Sequence, residues 1–117
     1  NKGMPKNLVI LIREDPIKTH RASEAIRIAL GLSTGPNPVT IVLLENARQL
    51  ISDEAYDLPD GEILEKYLPV IKNLELPIVV PIGSEKLFSL DQEFNIQESS
   101  PSQIALLISH ADRVLTF

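Results

Sequence analysis

The 117 residues include no cysteine. A disulfide, a thiolate metal ligand and a cysteine nucleophile are therefore excluded, and a cytoplasmic setting is the default expectation. Basic runs are missing too. Eleven Lys and Arg stand against sixteen Asp and Glu, a formal net charge of −5. A nucleic-acid partner needs clustered cations along its phosphates, so none is expected. No apolar run approaches the roughly 20 residues of a bilayer-spanning helix, so no membrane partner is expected either. Asn1-Lys2-Gly3-Met4 is not followed by the apolar region and cleavage site of a signal peptide, and residues 1–6 read as a disordered lead-in or tag remnant. The glycine patterns that cradle phosphates, G-x-G-x-x-G and G-x-x-x-x-G-K-[ST], are absent, which disfavours dinucleotides and nucleoside triphosphates. His20, His110 and the scattered carboxylates lack metal-ligand spacing, so neither a metal nor a cofactor is expected.

What is present is an alternation of strands and helices in a single domain. Leu8-Val9-Ile10-Leu11-Ile12 is an unbroken, β-branched run and reads as a buried parallel strand. Asp15 then fits a helix N-cap and Pro16 a first helical position, giving a helix over 16–32 with Ala22, Ala25, Ile26 and Ala29 on its buried face. Val39 to Leu44 is a second strand, and 46–51 a short helix. The acidic stretch 52–59 reads as a surface loop or flap. A helix starting at Asp60-Gly61 is expected to kink or break at Pro69. Pro77 to Ile82 is a third strand, with prolines at its ends rather than its centre. Ser84 is expected to cap a short helix over 85–90, and 94–97 to form a half-exposed edge strand. Ser100-Pro101-Ser102-Gln103 is a capping box opening a last helix. That helix is apolar almost all round, so more than one side should be covered. Asp112 to Phe117 closes the chain as a strand. The pattern predicts a mainly parallel sheet with helices on both faces, a three-layer α/β/α arrangement.

Candidate site residues cluster after the first and third strands, where open α/β sheets place their crevice. They are Asp15, His20, Arg21, Pro81, Gly83 and Ser84. His20 could act as an acid–base group, although a solvated histidine is the simpler reading. Ser84 follows a strand as a nucleophile might, but Pro81-Ile82-Gly83-Ser84-Glu85 is no G-x-S-x-G elbow, and a helix cap is the better reading. Glu14-Asp15 resembles the acidic pair of a phospho-acceptor receiver. The aspartate and lysine that a receiver needs elsewhere are missing: Pro81-Ile82 and Thr116-Phe117 stand there. Asp53, Glu54, Asp57, Asp60 and Glu62 read as a solvated acidic face.

Asn7 to Ile12, the helix Arg21 to Leu32 and above all Ala111-Asp112-Arg113-Val114-Leu115-Thr116-Phe117 resemble the DsrE/DsrF-like sulfur-relay family, which includes DsrH and TusBCD-type subunits. That resemblance implies a five-stranded, flavodoxin-like parallel sheet and trimers or hexamers, often of related subunits. It also implies a persulfide on a cysteine just after the third strand. Here that neighbourhood is Val80-Pro81-Ile82-Gly83-Ser84, which cannot hold a persulfide. The chain thus resembles the members that lack the cysteine and serve as non-catalytic structural or docking subunits. The alternative is a small-ligand-binding or enzymatic domain using the crevice at the carboxyl ends of strands 1 and 3.

Overall fold

Strand β1 (Leu8–Ile12) lies next to the centre of a five-stranded sheet of order β4-β3-β2-β1-β5. The others are β2 (Val39–Leu43), β3 (Ile78–Pro81), β4 (Ile96–Ser99) and β5 (Arg113–Thr116), and every pairing is parallel. The computed structural model describes residues 4–117. The expected lead-in over 1–6 thus falls partly outside the described residues; within it, the Lys6 amide donates to Asn37 Oδ1 at 2.8 Å.

Period-two alternation sorts the strand side chains onto two faces. Ile10, Ile12, Ile41, Leu43, Ile78 and Val80 point to one side, where they bury Ala22, Ala25, Ile26 and Ala29 of α1 (Arg21–Ser33) and Leu64, Leu68 and Ile71 of α2 (Gly61–Leu74). Val9, Val42 and Val79 point to the other, where Ile104 of α4 (Pro101–His110) covers them. The split follows from handedness. The β1→β2→β3 connections advance across the sheet one way, whereas β4→α4→β5 returns the other way. A right-handed crossover then places α4 on the opposite face.

Several local expectations are corrected. The first helix begins at Arg21, not Pro16. Asp15 Oδ1 accepts from the Ile17 amide at 2.9 Å, and the Asp15 carbonyl accepts from Lys18 and Thr19. The Asx side chain thereby closes a turn on itself instead of capping a helix. Helix α2 does not break at Pro69 but runs through it. Pro69 and Glu65 are both exposed residues, on the side of the helix where a carbonyl without its intrahelical donor is least costly. The stretch 45–51 is a 3₁₀ helix, and 52–59 contains another over Ala55–Asp57. An antiparallel bridge from Ser52 to Leu90 ties this segment down. Ser84 lies inside α3 (Ser84–Leu87), and Gly83 at φ +94° is the residue before it. On α4, Ile104 is buried but Leu106 is 56% exposed. In the single chain that helix crosses its sheet face without a neighbour, so its apolar circumference is not covered on a second side.

Candidate functional site

The carboxyl ends of the strands carry three separate constellations. The first is the turn leaving β3. Pro81 ends the strand, and Gly83 takes a left-handed backbone that glycine adopts without strain. Ser84 is fully buried; its Oγ donates to the Pro81 carbonyl at 2.6 Å and accepts from Arg48 Nη1 at 2.9 Å. The guanidinium of Arg48 lies 4.8 Å over the Phe88 ring, and its Nε donates to the Glu45 carbonyl. Facing the turn from edge strand β4, Glu98 accepts the Gly83 amide on Oε1 (2.9 Å) and the Glu85 amide on Oε2 (3.2 Å). The amides that could have met an anion there are taken by the chain's own carboxylate.

The second constellation is Asp15. Besides the Ile17 amide, it accepts from Asn46 Nδ2 at 3.1 Å and, more weakly, from Gln49 Nε2 at 3.4 Å. The 45–51 stretch therefore stands between Asp15 and Ser84, bonded to the one through Asn46 and Gln49 and to the other through Arg48.

The third joins two helix starts. His20 precedes α1 and Asp60 precedes α2, and neither caps its own helix with its side chain. Instead His20 Nδ1 lies 2.8 Å and 2.9 Å from the two carboxylate oxygens of Asp60. The carboxylate is almost wholly buried while the imidazole is 86% exposed. Burial pushes the Asp60 carboxyl up. The His20 hydrogen bond, the neighbouring Ser23 hydroxyl and the His20 charge outweigh that, so its pKa ends below the usual carboxylate value. With Nδ1 engaged, the free nitrogen Nε2 is left to solvent. His20 and Arg21 line a shallow pocket of about 400 Å³ with Ser23, Glu24, Asp60 and Ile63. Arg21 also lies 5.8 Å over the Phe117 ring.

The structure thus groups Pro81, Gly83 and Ser84 in one turn, His20 and Arg21 in one pocket, and Asp15 with the 45–51 stretch. Asn46 and Gln49 beside Asp15, and Asp60, Arg48 and Glu98, were not read from the sequence as site residues. Asp60 was taken as part of a solvated acidic face. Arg48 and Glu98 carry no spacing signal, because their partners are 36 and up to 15 residues away in the chain. Among the described residues, no group of three or more His, Asp or Glu could hold a metal ion, and no helix is long and apolar enough to cross a membrane.

The whole architecture is similar to that of a solved structure. The crystal structure of the YchN protein from E. coli aligns with a TM-score of 0.76, covering 97% of this chain and 100% of that one, at 17% sequence identity. The chain therefore has a DsrE-like fold. No protein-family model and no curated protein matches the sequence.

Proposed function

We propose that this chain is a non-catalytic, sulfur-relay-related protein that serves as an oligomeric structural or docking subunit in the cytoplasm. In this reading it assembles as a trimer or hexamer of itself or with related DsrE-like subunits. The fold likeness supports the group, and the turn leaving β3 supports the role. Carrying sulfane sulfur requires a thiol that can form and break a sulfur–sulfur bond. Pro81, Ile82, Gly83 and Ser84 offer none, and the Ser84 hydroxyl is buried and bonded at both ends. The Gly83 and Glu85 amides of the turn already donate to Glu98. Light scattering across micromolar concentrations is expected to give a multiple of the 13.0 kDa chain mass. A strict monomer would remove the reading. Incubation with a small-molecule persulfide is expected to leave the chain's mass unchanged.

A second reading, a small-ligand-binding or enzymatic domain, draws on the His20–Asp60 pair. A buried carboxylate that orients an exposed imidazole is an arrangement suited to acid–base work. A thermal-shift screen against nucleotides and small anions separates the two. A hit lost in His20→Ala would favour the second reading, and no hit favours the first.

A further inference from the structure

A groove of about 640 Å³ opens beside the turns that follow β2 and β3. It is lined by Ile17, Gln49, Glu54, Asp57, Leu87 and Phe88, among others. Its two sides are stitched together. The Ser52–Leu90 bridge is flanked by the Asp53 amide donating to the Ser89 carbonyl (2.7 Å) and the Asp91 amide donating to the Ile51 carbonyl (2.8 Å). The groove is therefore preformed and needs no ordering on binding.

Its chemistry is one-sided. Glu54 and Asp57 make no ion pair among the described residues, and no Lys, Arg or His lines the groove. Lys18, Arg48 and Lys86, each next in sequence to a lining residue, are not among the lining residues, and the guanidinium of Arg48 is engaged by the Ser84 hydroxyl, the Glu45 carbonyl and the Phe88 ring. Beside the carboxylates, Ile17 and Leu87 are 57% and 71% exposed, large apolar side chains from different elements that nothing in the chain covers. A compact cation would satisfy the carboxylates but leave both aliphatic side chains in water. A purely apolar ligand would cover the aliphatics but strip water from unpaired carboxylates. The occupant must carry both features.

We propose that this groove docks a protein segment in which Lys or Arg alternates with bulky aliphatic residues. The cations pair with Glu54 and Asp57 while the aliphatics cover Ile17 and Leu87. This deepens the docking reading above by naming the chemistry of the partner. The contact is small, so the association is weak and salt-dependent, with the charges setting encounter and register.

The test is fluorescence anisotropy of the full chain with a short labelled peptide alternating Lys and Leu. Three comparison ligands are a peptide with Glu for Lys, a peptide with Ser for Leu, and spermidine. The Lys/Leu peptide is expected to bind and the other three to bind at least several-fold more weakly. Glu54→Lys with Asp57→Lys is expected to weaken it roughly tenfold, the effect of replacing two rim attractions by repulsions. Ile17→Ser with Leu87→Ser changes only exposed side chains and is expected to weaken it independently. This second variant carries the test if the charge reversal fails to fold by circular dichroism. Equal binding of the Glu or Ser peptide, full competition by spermidine, or unchanged affinity in a folded variant overturns the proposal. A chain that assembles in light scattering yet ignores the peptide sinks only the groove. A monomer that binds the peptide sinks only the assembly.

Discussion

The carboxylate of Asp60 is almost wholly buried and bonded to an exposed imidazole. Its pKa is held down by His20 and Ser23, whereas the unfolded chain titrates near the ordinary value of about 4. Between those values the unfolded chain binds a proton that the folded chain does not. The stabilisation from ionised Asp60 is complete above about pH 4 and is lost as the pH falls through the lower folded value. Urea midpoints measured from pH 6 to pH 2 should therefore show the advantage of the wild type over Asp60→Asn shrinking across that window. Next to it, Gly61 is required by space. A Cβ built there would sit 1.9 Å from the Tyr56 carbonyl oxygen and 2.7 Å from its carbon. Backbone cannot swing aside as a flexible side chain does, so Gly61→Ala is expected to destabilise by about 1–3 kcal/mol, as overpacking does, read from urea melts. The string Asp60-Gly61 was legible as a helix start. That its carboxylate would find an imidazole 40 residues away was not, because no periodicity encodes a contact between two loops.

Among the elements, α2 shows how environment overrides a local rule. Pro69 removes one intrahelical hydrogen bond, but it lies on the exposed side of the helix, and α2 continues for five more residues to Leu74. The helix ends at Glu75, which takes the left-handed conformation (φ 54°, ψ 40°). The amides of Glu75 and Leu76 turn back to the Lys72 and Ile71 carbonyls at 3.0 and 3.3 Å. This terminus favours glycine, since an L side chain there strains against its own backbone. Glu75→Gly should raise stability by about 0.5–1 kcal/mol, visible as a higher midpoint in urea with unchanged slope. At the other end of the chain, the capping box over Ser100–Gln103 forms as its pattern requires, with Gln103 N to Ser100 Oγ at 3.2 Å and Ser100 N to Gln103 Oε1 at 2.8 Å. Both partners lie within one turn of helix, which is why that motif is readable in one dimension.

For the molecule as a whole, the uneven cover of the sheet is the feature with consequences. One face is closed by α1, α2 and the 45–51 stretch, while α4 crosses the other alone. Concavities of about 240 and 420 Å³ flank it, both touching Thr40 and Leu107. Leu106 on α4 is 56% exposed. The proposed assembly is expected to use this side, because burying it adds apolar area without disturbing the closed face. Leu106→Glu should then lower the mass seen by light scattering towards 13.0 kDa while leaving the circular dichroism spectrum intact.

Strand and helix order, the parallel sheet and the lack of cysteine could all be read along the chain. The elements rest on interactions between residues close in sequence, the parallel order on the crossovers that alternating strands and helices require, and the lack of a thiol on composition alone. Where the first helix starts, which side chains meet at the strand ends, and what covers α4 could not be read that way. Those outcomes turn on partners distant in the chain: Asp15 with Asn46 and Gln49, Asp60 with His20, Glu98 with the Gly83 amide. Folding in three dimensions sets which of them come within reach.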